Sequence, residues 1–414
     1  MKIGKFSSEN DVSIDTIRHY MELGLIIPEK VGGHYDFDRR CKKDLDDIFS
    51  LKEMGFTLNE IKSIFLFKRL GKLTLYQEIE IYKQFFTDKY KKVVKDIEVL
   101  QNTKLKLENR IKELSSKKYK ENFTIGIDIG ALDLFKCLKC NGDLILYEGH
   151  IIKNQIIEGK LRCKCGNEYT IKEGILFTNN DLDYIENKFN YRDGKFYITE
   201  HSIAEYLNET APEYLDKLYK GLEWYYKKLQ FKELKNKVIL ELGSGAGFLL
   251  RYVYNDLPDD SLYIAVERDI NKHRFLKKIL EGAEGQKRVI FICSDFLEIP
   301  IRDKSVDLLL DYSGTSNYSF EHQEFLLKLI DNHIKDDALL LGGYILFKKF
   351  SIHSLINDEY KKNFILSNVK EEIKKLKYRV IDERISDVIN EGGKYENYFK
   401  EDEEVYNYGF YGKR

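Results

Sequence analysis

The spacing of apolar positions changes along this chain, and the changes divide it into segments of different predicted structure. In roughly the first seventy residues apolar side chains recur at helical spacing, in short runs separated by turn residues. From Phe86 to Leu114 they recur at steps of four and three. From Val238 onward, short continuous apolar runs end in glycine or acidic residues, as buried parallel strands do. With 414 residues, the chain is predicted to form several domains.

The stretch with steps of four and three is a heptad seam, typical of a coiled-coil helix. The seam residues are Phe86, Tyr90, Val93, Ile97, Leu100, Leu107, Ile111 and Leu114. Lys104 interrupts the seam, where it costs stability and is able to fix the register of two paired helices. The seam predicts a dimerisation helix, and the alternative is a helix packed on its own domain.

The run at 238–248 predicts a buried strand that feeds a glycine turn at a helix entrance, which is typical of a nucleotide-like cofactor site. Glu241 precedes three alternating glycines, Gly243, Gly245 and Gly247. The dinucleotide fingerprint would require glycine or alanine where Phe248 stands, so NAD and FAD fit less well.

Three further strands are predicted after this one, and they end in residues suited to the same kind of ligand. Glu267 closes the run at 262–266, at about the 20-residue offset that a strand, a helix and a second strand require. Asp295 and Phe296 follow the run at 289–294, and the run at 306–310 ends at Asp311. Three later runs, at 339–345, 378–381 and 404–411, are interpreted as strands five to seven, the last two as an antiparallel hairpin.

The glycine run at 238–248 and the three runs that end at Glu267, Phe296 and Asp311 together resemble the class I S-adenosylmethionine-dependent methyltransferases. The resemblance implies that Glu241 receives the methionyl ammonium through its solvation shell, that Glu267 binds the ribose, and that Asp295 with Phe296 holds the adenine. The complete cofactor set implied is Glu241, Gly243, Ser244, Gly245, Gly247, Glu267, Asp295, Phe296 and Asp311.

The loop after the fourth strand is where the methyl acceptor is expected. It lacks the Asn/Asp-Pro-Pro-aromatic clamp that relatives use on exocyclic amines of DNA bases, which argues against methylation of adenine or cytosine. Asp311 and Tyr312 are candidates for a base, but contact with the cofactor or capping of a strand explains them equally well. No catalytic base is therefore assigned.

The beginning of the chain predicts short helices joined by a tight turn. Ser13 is expected to cap the helix that starts at Ile14, with Ile14 and Ile17 on one face. The segment from Ile3 to Phe65 resembles the MerR family of winged-helix regulators. That resemblance implies binding to a promoter palindrome in double-stranded DNA through Ser13, Thr16, Arg18, His19, Tyr20, Tyr35, Arg39 and Arg40.

One position departs from the MerR pattern, because relatives place an arginine after the wing tyrosine and here Asp36 follows Tyr35. Residues 1–75 carry about 13 basic against about 12 acidic side chains, so this segment lacks the basic excess of a strong general DNA binder. Site-specific, salt-sensitive binding is expected. The alternative is a helical protein-interaction module.

Four of the six cysteines form two close pairs between the predicted coiled coil and the glycine run. These are Cys137, Cys140, Cys163 and Cys165. Thiolates at this spacing predict a tetrahedral Zn2+ site, although the second pair is C-x-C where ribbons usually have C-x-x-C. The segment resembles the small zinc ribbon that accompanies several methyltransferases. A disulfide is disfavoured because a cytoplasmic location is expected, and a thiol sensor is the remaining alternative.

The sequence thus predicts a multidomain chain with an all-α winged helix-turn-helix, a long coiled-coil helix, a small β zinc ribbon and an α/β Rossmann-like seven-stranded methyltransferase. The expected ranges are 1–72 for DNA binding, 73–120 for the coiled coil, 121–180 for the ribbon, 181–235 for helices that cover the cofactor pocket, and 236–414 for the methyltransferase.

With a net charge of −1 and no run near 20 apolar residues, no membrane partner is expected. The favoured function is a dimeric regulator that binds S-adenosylmethionine and methylates a small molecule or another acceptor. The alternatives are a cofactor sensor without turnover and an RNA methyltransferase with an accessory nucleic-acid-binding domain.

Overall fold

A computed structural model describes residues 1–71, 74–117, 122–179, 206–391 and 398–414. Part of the helical segment expected at 181–235 falls outside the described residues. The chain divides into two compact units, Met1–Lys118 and Tyr119–Arg414, and each is described by itself. Nothing in the described parts of the chain forms a helix that combines the length and the apolar character needed to cross a membrane.

The first unit begins with four helices and a two-stranded wing. The helices are α1 (Ile3–Asn10), α2 (Ile14–Glu22), α3 (Arg39–Glu53) and α4 (Leu58–Leu70), and the wing strands are β1 (Glu29–Val31) and β2 (His34–Asp36). The wing strands pair antiparallel, with Lys30 opposite Tyr35. Phe6, Ile17 and Tyr20 from the first two helices are buried in one core with Leu45 and Ile61 from the next two. This is the helix-turn-helix and wing that the sequence predicts.

Polar side chains fix where these helices begin. The Ser13 hydroxyl accepts a hydrogen bond from the Thr16 N–H at 3.1 Å, which confirms Ser13 as the cap of α2. Thr57 and Glu60 form a reciprocal capping box at the start of α4. Ile14 departs from the expected apolar face, because it is 37% exposed while Ile17 is fully buried.

The predicted long helix is present as α6 (Lys83–Ser116). It is preceded by the helical turn α5 (Leu75–Gln77) and a short π-helical segment at Glu78–Tyr82. Phe86 does not behave as a seam residue, because its ring packs edge-on against Phe56 at 5.5 Å and joins the core of the first unit. The seam beyond it is exposed, with Tyr90 at 70% and Leu100 at 67%. The alternative of a helix packed on its own domain therefore describes the start of α6 but not the exposed remainder of the seam.

The second unit is built on one mixed sheet with helices on both faces. Its central strands are β8 (Val238–Leu242), β9 (Leu262–Glu267), β10 (Arg288–Cys293), β11 (Val306–Tyr312), β12 (Ile334–Lys349), β13 (Arg379–Ile385) and β14 (Glu404–Lys413). Their order across the sheet is β13-β14-β12-β11-β8-β9-β10. The helices are α7 (Pro212–Lys228), α8 (Phe248–Val253), α9 (Ile270–Glu281), α10 (Gly314–Ser319), α11 (Leu326–Leu329) and α12 (Leu366–Lys375). Short 3-10 turns at Phe231–Leu234, Tyr254–Asp256, Phe296–Glu298, Asp331–His333 and Lys361–Phe364 join some of these elements.

The strand order places a topological switch between β8 and β11. The strands β8, β9, β10, β11 and β12 are parallel, while β14 lies antiparallel between β12 and β13. The chain runs outward from β8 to β10 and then returns to β11 on the other side of β8. In open α/β sheets of this kind, ligands bind outside the carboxyl ends of the strands at the switch. The predicted strands and the terminal antiparallel hairpin are confirmed.

The cysteine-bearing segment continues this same sheet, which the sequence did not predict. Its strands are β3 (Ile127–Asp128), β4 (Leu144–Ile152), β5 (Gln155–Cys163), β6 (Glu168–Lys172) and β7 (Ile175–Phe177), with a 3-10 turn at Ile129–Leu134. The strand β7 pairs parallel with β10, with Ile175 opposite Phe291. Without β7, strand β10 would present unpaired backbone groups at the edge of the sheet.

Candidate functional site

The glycine run forms a tight loop at the carboxyl end of β8. Gly243, Gly245 and Gly247 have φ angles of +68°, +53° and +75°. Residues with a Cβ rarely adopt this left-handed backbone region. A Cβ on Gly247 would lie 2.3 Å from Cδ1 of Leu276, so this glycine lets the loop pack against α9. A Cβ on Gly245 would make only an ordinary contact, 3.8 Å from the Gly243 carbonyl, so most of the space around it is free. The loop thus has one glycine used for packing and one that faces free space.

Glu241 and Ser244 leave polar atoms buried without partners beside this loop. Glu241 is 1% exposed, and neither its Oε2 nor the Tyr263 hydroxyl makes a hydrogen bond of normal geometry within the described residues. Burial raises the pKa of Glu241 to about 7, against a smaller lowering by the Tyr263 hydroxyl. The Ser244 hydroxyl is also buried without a partner. A donor or a cation placed here would satisfy these atoms.

Glu267 stands at the end of β9 and is tied to the glycine loop. Its Oε2 accepts a hydrogen bond from the Gly245 N–H at 3.1 Å, and its Oε1 accepts one from the Asp269 N–H at 3.0 Å. Burial acts to raise the pKa of Glu267, but the charge of Lys272 and these backbone N–H groups outweigh it, so the pKa is lowered. Glu267 is thus an ionised acceptor that also holds the loop.

Phe296 and Asp295 follow β10 and lie on the other side of the loop. A Cβ on Gly243 would lie 3.3 Å from the tip of the Phe296 ring, so the ring faces the loop. Asp295 is exposed, and its carboxylate accepts a hydrogen bond from the Leu297 N–H at 3.1 Å. This pair therefore places the tip of an aromatic ring and an exposed acceptor near the glycines.

Asp311 and Tyr312 end β11, where Asp311 is buried and Tyr312 is half-buried. Asp311 is fully buried and accepts a hydrogen bond from the Thr315 N–H at 2.8 Å. Burial raises the pKa of Asp311 to about 6, and hydrogen bonds from Thr315 only partly offset this. The Tyr312 ring meets the Tyr225 ring edge-on at 5.2 Å, and burial raises the pKa of the Tyr312 hydroxyl. Asp311 therefore fixes the start of α10 through the Thr315 N–H.

Two residues that the sequence reasoning missed close the site from the β11 side. A Cβ on Gly314 would lie 2.6 Å from the Leu242 carbonyl and 3.0 Å from the Asp311 carboxylate, so only glycine fits. The Tyr225 hydroxyl, on α7, donates to the Gly342 carbonyl at 3.0 Å. Gly314, two residues after the end of β11, was a signal available in the sequence, and Tyr225 lies in the segment at 181–235 that was expected to cover the cofactor pocket.

The four cysteines predicted as ligands are brought together. Their sulfur atoms all lie within 4.8 Å of one another. The Sγ atoms of Cys137 and Cys165 are 3.6 Å apart, and those of Cys140 and Cys163 are 3.3 Å apart. A tetrahedron of sulfur atoms at about 2.3 Å from zinc has S–S distances of about 3.8 Å, so the cluster fits this metal with small adjustment. Cys165 lies within the cluster despite the short C-x-C spacing.

All of the predicted DNA-facing residues except Tyr20 are exposed or half-buried. Arg18, His19, Tyr35, Arg39 and Arg40 are exposed on α2, the wing and the start of α3. Ser13 is exposed at its cap and Thr16 is half-buried beside it. Tyr20 differs, because it is 2% exposed and packs in the core, with only its hydroxyl near Lys52 Nζ at 3.4 Å. The structure thus gives the Tyr20 ring a packing role.

Comparison with known proteins supports the character of the first unit. Residues 1–67 match the family described as MerR HTH family regulatory protein. Over 63 residues the chain is 33% identical to the nodulation protein NolA of Bradyrhizobium elkanii, which covers 15% of this chain and 29% of that protein. The chain thus spans less than a third of the length of this curated relative.

Several solved structures similar to the chain are methyltransferases, and another is the [4+2]-cyclase SpnF, 10% identical with a TM-score of 0.33. A SAM dependent methyltransferase from Aquifex aeolicus is 20% identical and covers 46% of this chain and 88% of its own, with a TM-score of 0.33. Geranyl diphosphate C-methyltransferase from Streptomyces coelicolor A3(2) is 12% identical and covers 47% and 74%, with a TM-score of 0.36. The fold itself is assigned from the strand order and the switch point between β8 and β11. Residues 1–67 are a MerR-type helix-turn-helix domain, and the second unit has a methyltransferase-like fold.

Proposed function

We propose that this chain is a dimeric, DNA-binding regulator whose second unit binds S-adenosylmethionine and transfers its methyl group to a small molecule. The observation that carries the proposal is the convergence of the glycine loop, Glu241, Glu267 and Phe296 at the carboxyl ends of β8, β9 and β10. This is the place where the sheet topology predicts a ligand.

The residues present fit the proposed cofactor. The unpartnered Glu241 Oε2 suits a donor such as the methionyl ammonium or a water bound to it. Glu267 is ionised and retains acceptor capacity for ribose hydroxyls, since a carboxylate offers about four lone-pair sites and two are used. Phe296 offers an aromatic ring beside the loop for contact with adenine, and Asp295 offers an exposed acceptor for its amino group.

When bound, the sulfonium supplies an electrophilic methyl group, so the protein mainly has to position the acceptor and exclude water. Asp311 holds the backbone of α10 through the Thr315 N–H, and thereby fixes the loop beside the reacting edge. Tyr312 and Tyr225 pack edge-on there and provide apolar walls. Whether Asp311 or Tyr312 accepts a proton from the acceptor depends on the acceptor, and we assign neither this role.

The cysteine cluster is proposed to hold a structural Zn2+ through Cys137, Cys140, Cys163 and Cys165. Four thiolates form a closed tetrahedral set that leaves no position for substrate, which favours a structural role over catalysis. Cys163 ends β5, and through β6 and β7 this strand is linked to β10 of the central sheet. Bound metal would therefore stabilise the strands that extend the methyltransferase-like sheet.

The first unit is proposed to bind a promoter palindrome in duplex DNA. Arg18 and His19 on α2 would enter the major groove, and Tyr35 in the wing would contact phosphate, as the exposed positions of these side chains permit. The exposed seam of α6 supports a homodimer, because Ile97, Leu100 and Ile111 are 49%, 67% and 63% exposed on one face of the helix. A twofold dimer matches a palindromic site.

The proposal is tested by incubating the full zinc-loaded chain with methyl-labelled S-adenosylmethionine and fractionated cell lysate. Label in a small-molecule fraction supports the proposal. Label confined to RNA would replace it with the RNA methyltransferase. Cofactor binding in calorimetry without label in any fraction would replace it with a sensor that does not turn over.

A further inference from the structure

Lys217 differs from the other lysines of α7 because it is buried without a partner. It is 8% exposed, and its Nζ makes no hydrogen bond within the part of the chain that the structure describes. Its ammonium lies 5.4 Å from the centroid of the Tyr214 ring. Lys220, on the same helix, is half exposed and forms an ion pair with Asp216. Burying an unpaired ammonium destabilises a fold, so this arrangement calls for a physical reason.

The position of Lys217 places it beside the reacting edge of the sheet. Tyr214, Lys217, Gly221 and Tyr225 follow one another at helical steps of three and four, so they share one face of α7. At Gly221 a Cβ would lie 4.0 Å from the Tyr312 hydroxyl, while Tyr225 bonds the Gly342 carbonyl. This face of α7 therefore lies over the end of β11 and the neighbouring middle part of β12.

The other end of the same face is anchored by an aromatic cluster. Tyr214 is buried with Ile345 and Phe347 from the distal part of β12. Lys217 lies between this anchor and Gly221 on the same face of α7, about one helical turn from the residue that faces the Tyr312 hydroxyl. A methyl acceptor in line with a ligand in the glycine loop has to occupy space next to Tyr312, because β11 neighbours β8.

We propose that Lys217 is a specificity residue that binds an anionic group, a carboxylate or a phosphate, of the small-molecule methyl acceptor. This inference rests on the proposed function and adds the chemical class of its substrate. An ammonium that lies beside the Tyr214 ring and is largely shielded from solvent offers a point charge with little competition from water. Burial lowers the pKa of Lys217 to about 8, so the amine is still mostly protonated near neutral pH. A bound anion would restore the charge balance that the apoprotein lacks.

A nucleic acid acceptor fits these observations less well. Phosphate backbones are bound by several exposed Lys and Arg side chains along a groove, whereas Lys217 is a single buried ammonium. Methyl label found only in RNA would contradict the inference.

The first test uses inorganic phosphate as the probe and thermal unfolding of the full zinc-loaded chain as the readout. The single tryptophan, Trp224, lies on α7, so its fluorescence reports the unfolding of this unit. Wild type, Lys217→Met and Lys220→Met are compared in phosphate and in chloride at matched ionic strength. Phosphate at ten times its dissociation constant multiplies the folding equilibrium constant by about eleven.

We expect phosphate to raise the unfolding midpoint of wild type and Lys220→Met equally, and to leave Lys217→Met unchanged. In chloride, Lys217→Met should be at least as stable as wild type, because methionine fills the volume of the lysine stem without a buried charge. An equal phosphate response in all three proteins, or a response in none, would overturn the inference.

The second test separates this inference from the proposed function. Calorimetry with S-adenosylmethionine on the same proteins should give equal affinities for wild type and Lys217→Met. Label transfer to lysate small molecules should fall at least tenfold in Lys217→Met and not in Lys220→Met. Equal transfer in Lys217→Met would refute the anion site and leave the methyltransferase intact, whereas no cofactor heat in wild type would refute the proposed function itself.

Discussion

Replacing Gly245 by alanine should weaken cofactor binding as well as the fold. Its φ of +53° costs an alanine about 1–2 kcal/mol of backbone strain. The added Cβ would meet the Gly243 carbonyl at 3.8 Å, which is ordinary contact, so strain is the whole structural cost. The same methyl group would occupy the open space beside the loop, where the ligand is proposed to approach the backbone N–H groups. An affinity loss of at least tenfold, or about 1.4 kcal/mol, is expected.

Two glycines provide matched comparisons. At Gly247 a Cβ would lie 2.3 Å from the buried Leu276, so alanine there adds about 1–3 kcal/mol of overpacking to the same backbone strain. At Gly285 a Cβ would meet nothing within 4 Å, and the backbone is not left-handed, so alanine should be neutral. The ranking of stability loss is therefore Gly247→Ala, then Gly245→Ala, then Gly285→Ala.

The assay combines urea unfolding with isothermal calorimetry. Trp224 is the single tryptophan and lies in the second unit, so its fluorescence reports the unfolding of that unit alone. The two units therefore do not have to unfold in one transition for the analysis to hold. Gly245→Ala should lose about 1–2 kcal/mol of stability and at least tenfold in affinity for S-adenosylmethionine. If Gly245→Ala binds the cofactor as tightly as Gly285→Ala does, the ligand does not approach the loop at this glycine, and the assignment of the pocket fails.

Three further predictions concern the metal, the dimer and the buried carboxyl. Cys163→Ser, or a chelator added to wild type, should lower the thermal unfolding midpoint reported by Trp224 fluorescence by several degrees. The reason is that bound zinc would no longer link the end of β5 to the cysteine pair that precedes β4. An unchanged midpoint would contradict a structural role for zinc. Ile97→Glu should convert a dimer to a monomer in analytical ultracentrifugation while Val99→Glu, equally exposed but off the seam, should not, and a monomeric wild type would refute the seam as an interface. The raised pKa of Asp311, about 6, means that the folded state binds the proton more tightly, so stability is present below the ordinary pKa near 4 and is lost as pH rises to about 6. The stability advantage of Asp311→Asn over wild type should therefore grow between about pH 4 and pH 6, by up to about 3 kcal/mol, and a pH-independent difference would show that Asp311 does not titrate in this range.

The central strands and the glycine loop could be predicted from the sequence because their physics is local. Continuous apolar runs ending in Glu241, Glu267 or Asp311 indicate parallel strands whose ends meet, and alternating glycines indicate a left-handed turn. The Ser13 cap was equally readable, since the hydroxyl bonds a backbone N–H only three residues away.

Long-range packing could not be read in this way. Phe86 fits the heptad pattern, yet its ring packs on Phe56 because the first turn of α6 adjoins the core of its own unit. Tyr20 lies in the segment that resembles a recognition helix, but its spacing from Ile17 places both on the buried face. The pairing of β7 with β10 joins residues more than a hundred positions apart, and no local signal specifies such a partner.

The measurement that tests the central claim most directly is calorimetric titration of the intact, zinc-loaded chain with S-adenosylmethionine. The account predicts a saturable heat in wild type and in Gly285→Ala, and a much weaker interaction in Gly245→Ala. An absence of binding heat across several temperatures in folded wild type would contradict it, because the loop of Gly243, Gly245 and Gly247 would then not be a site for this cofactor.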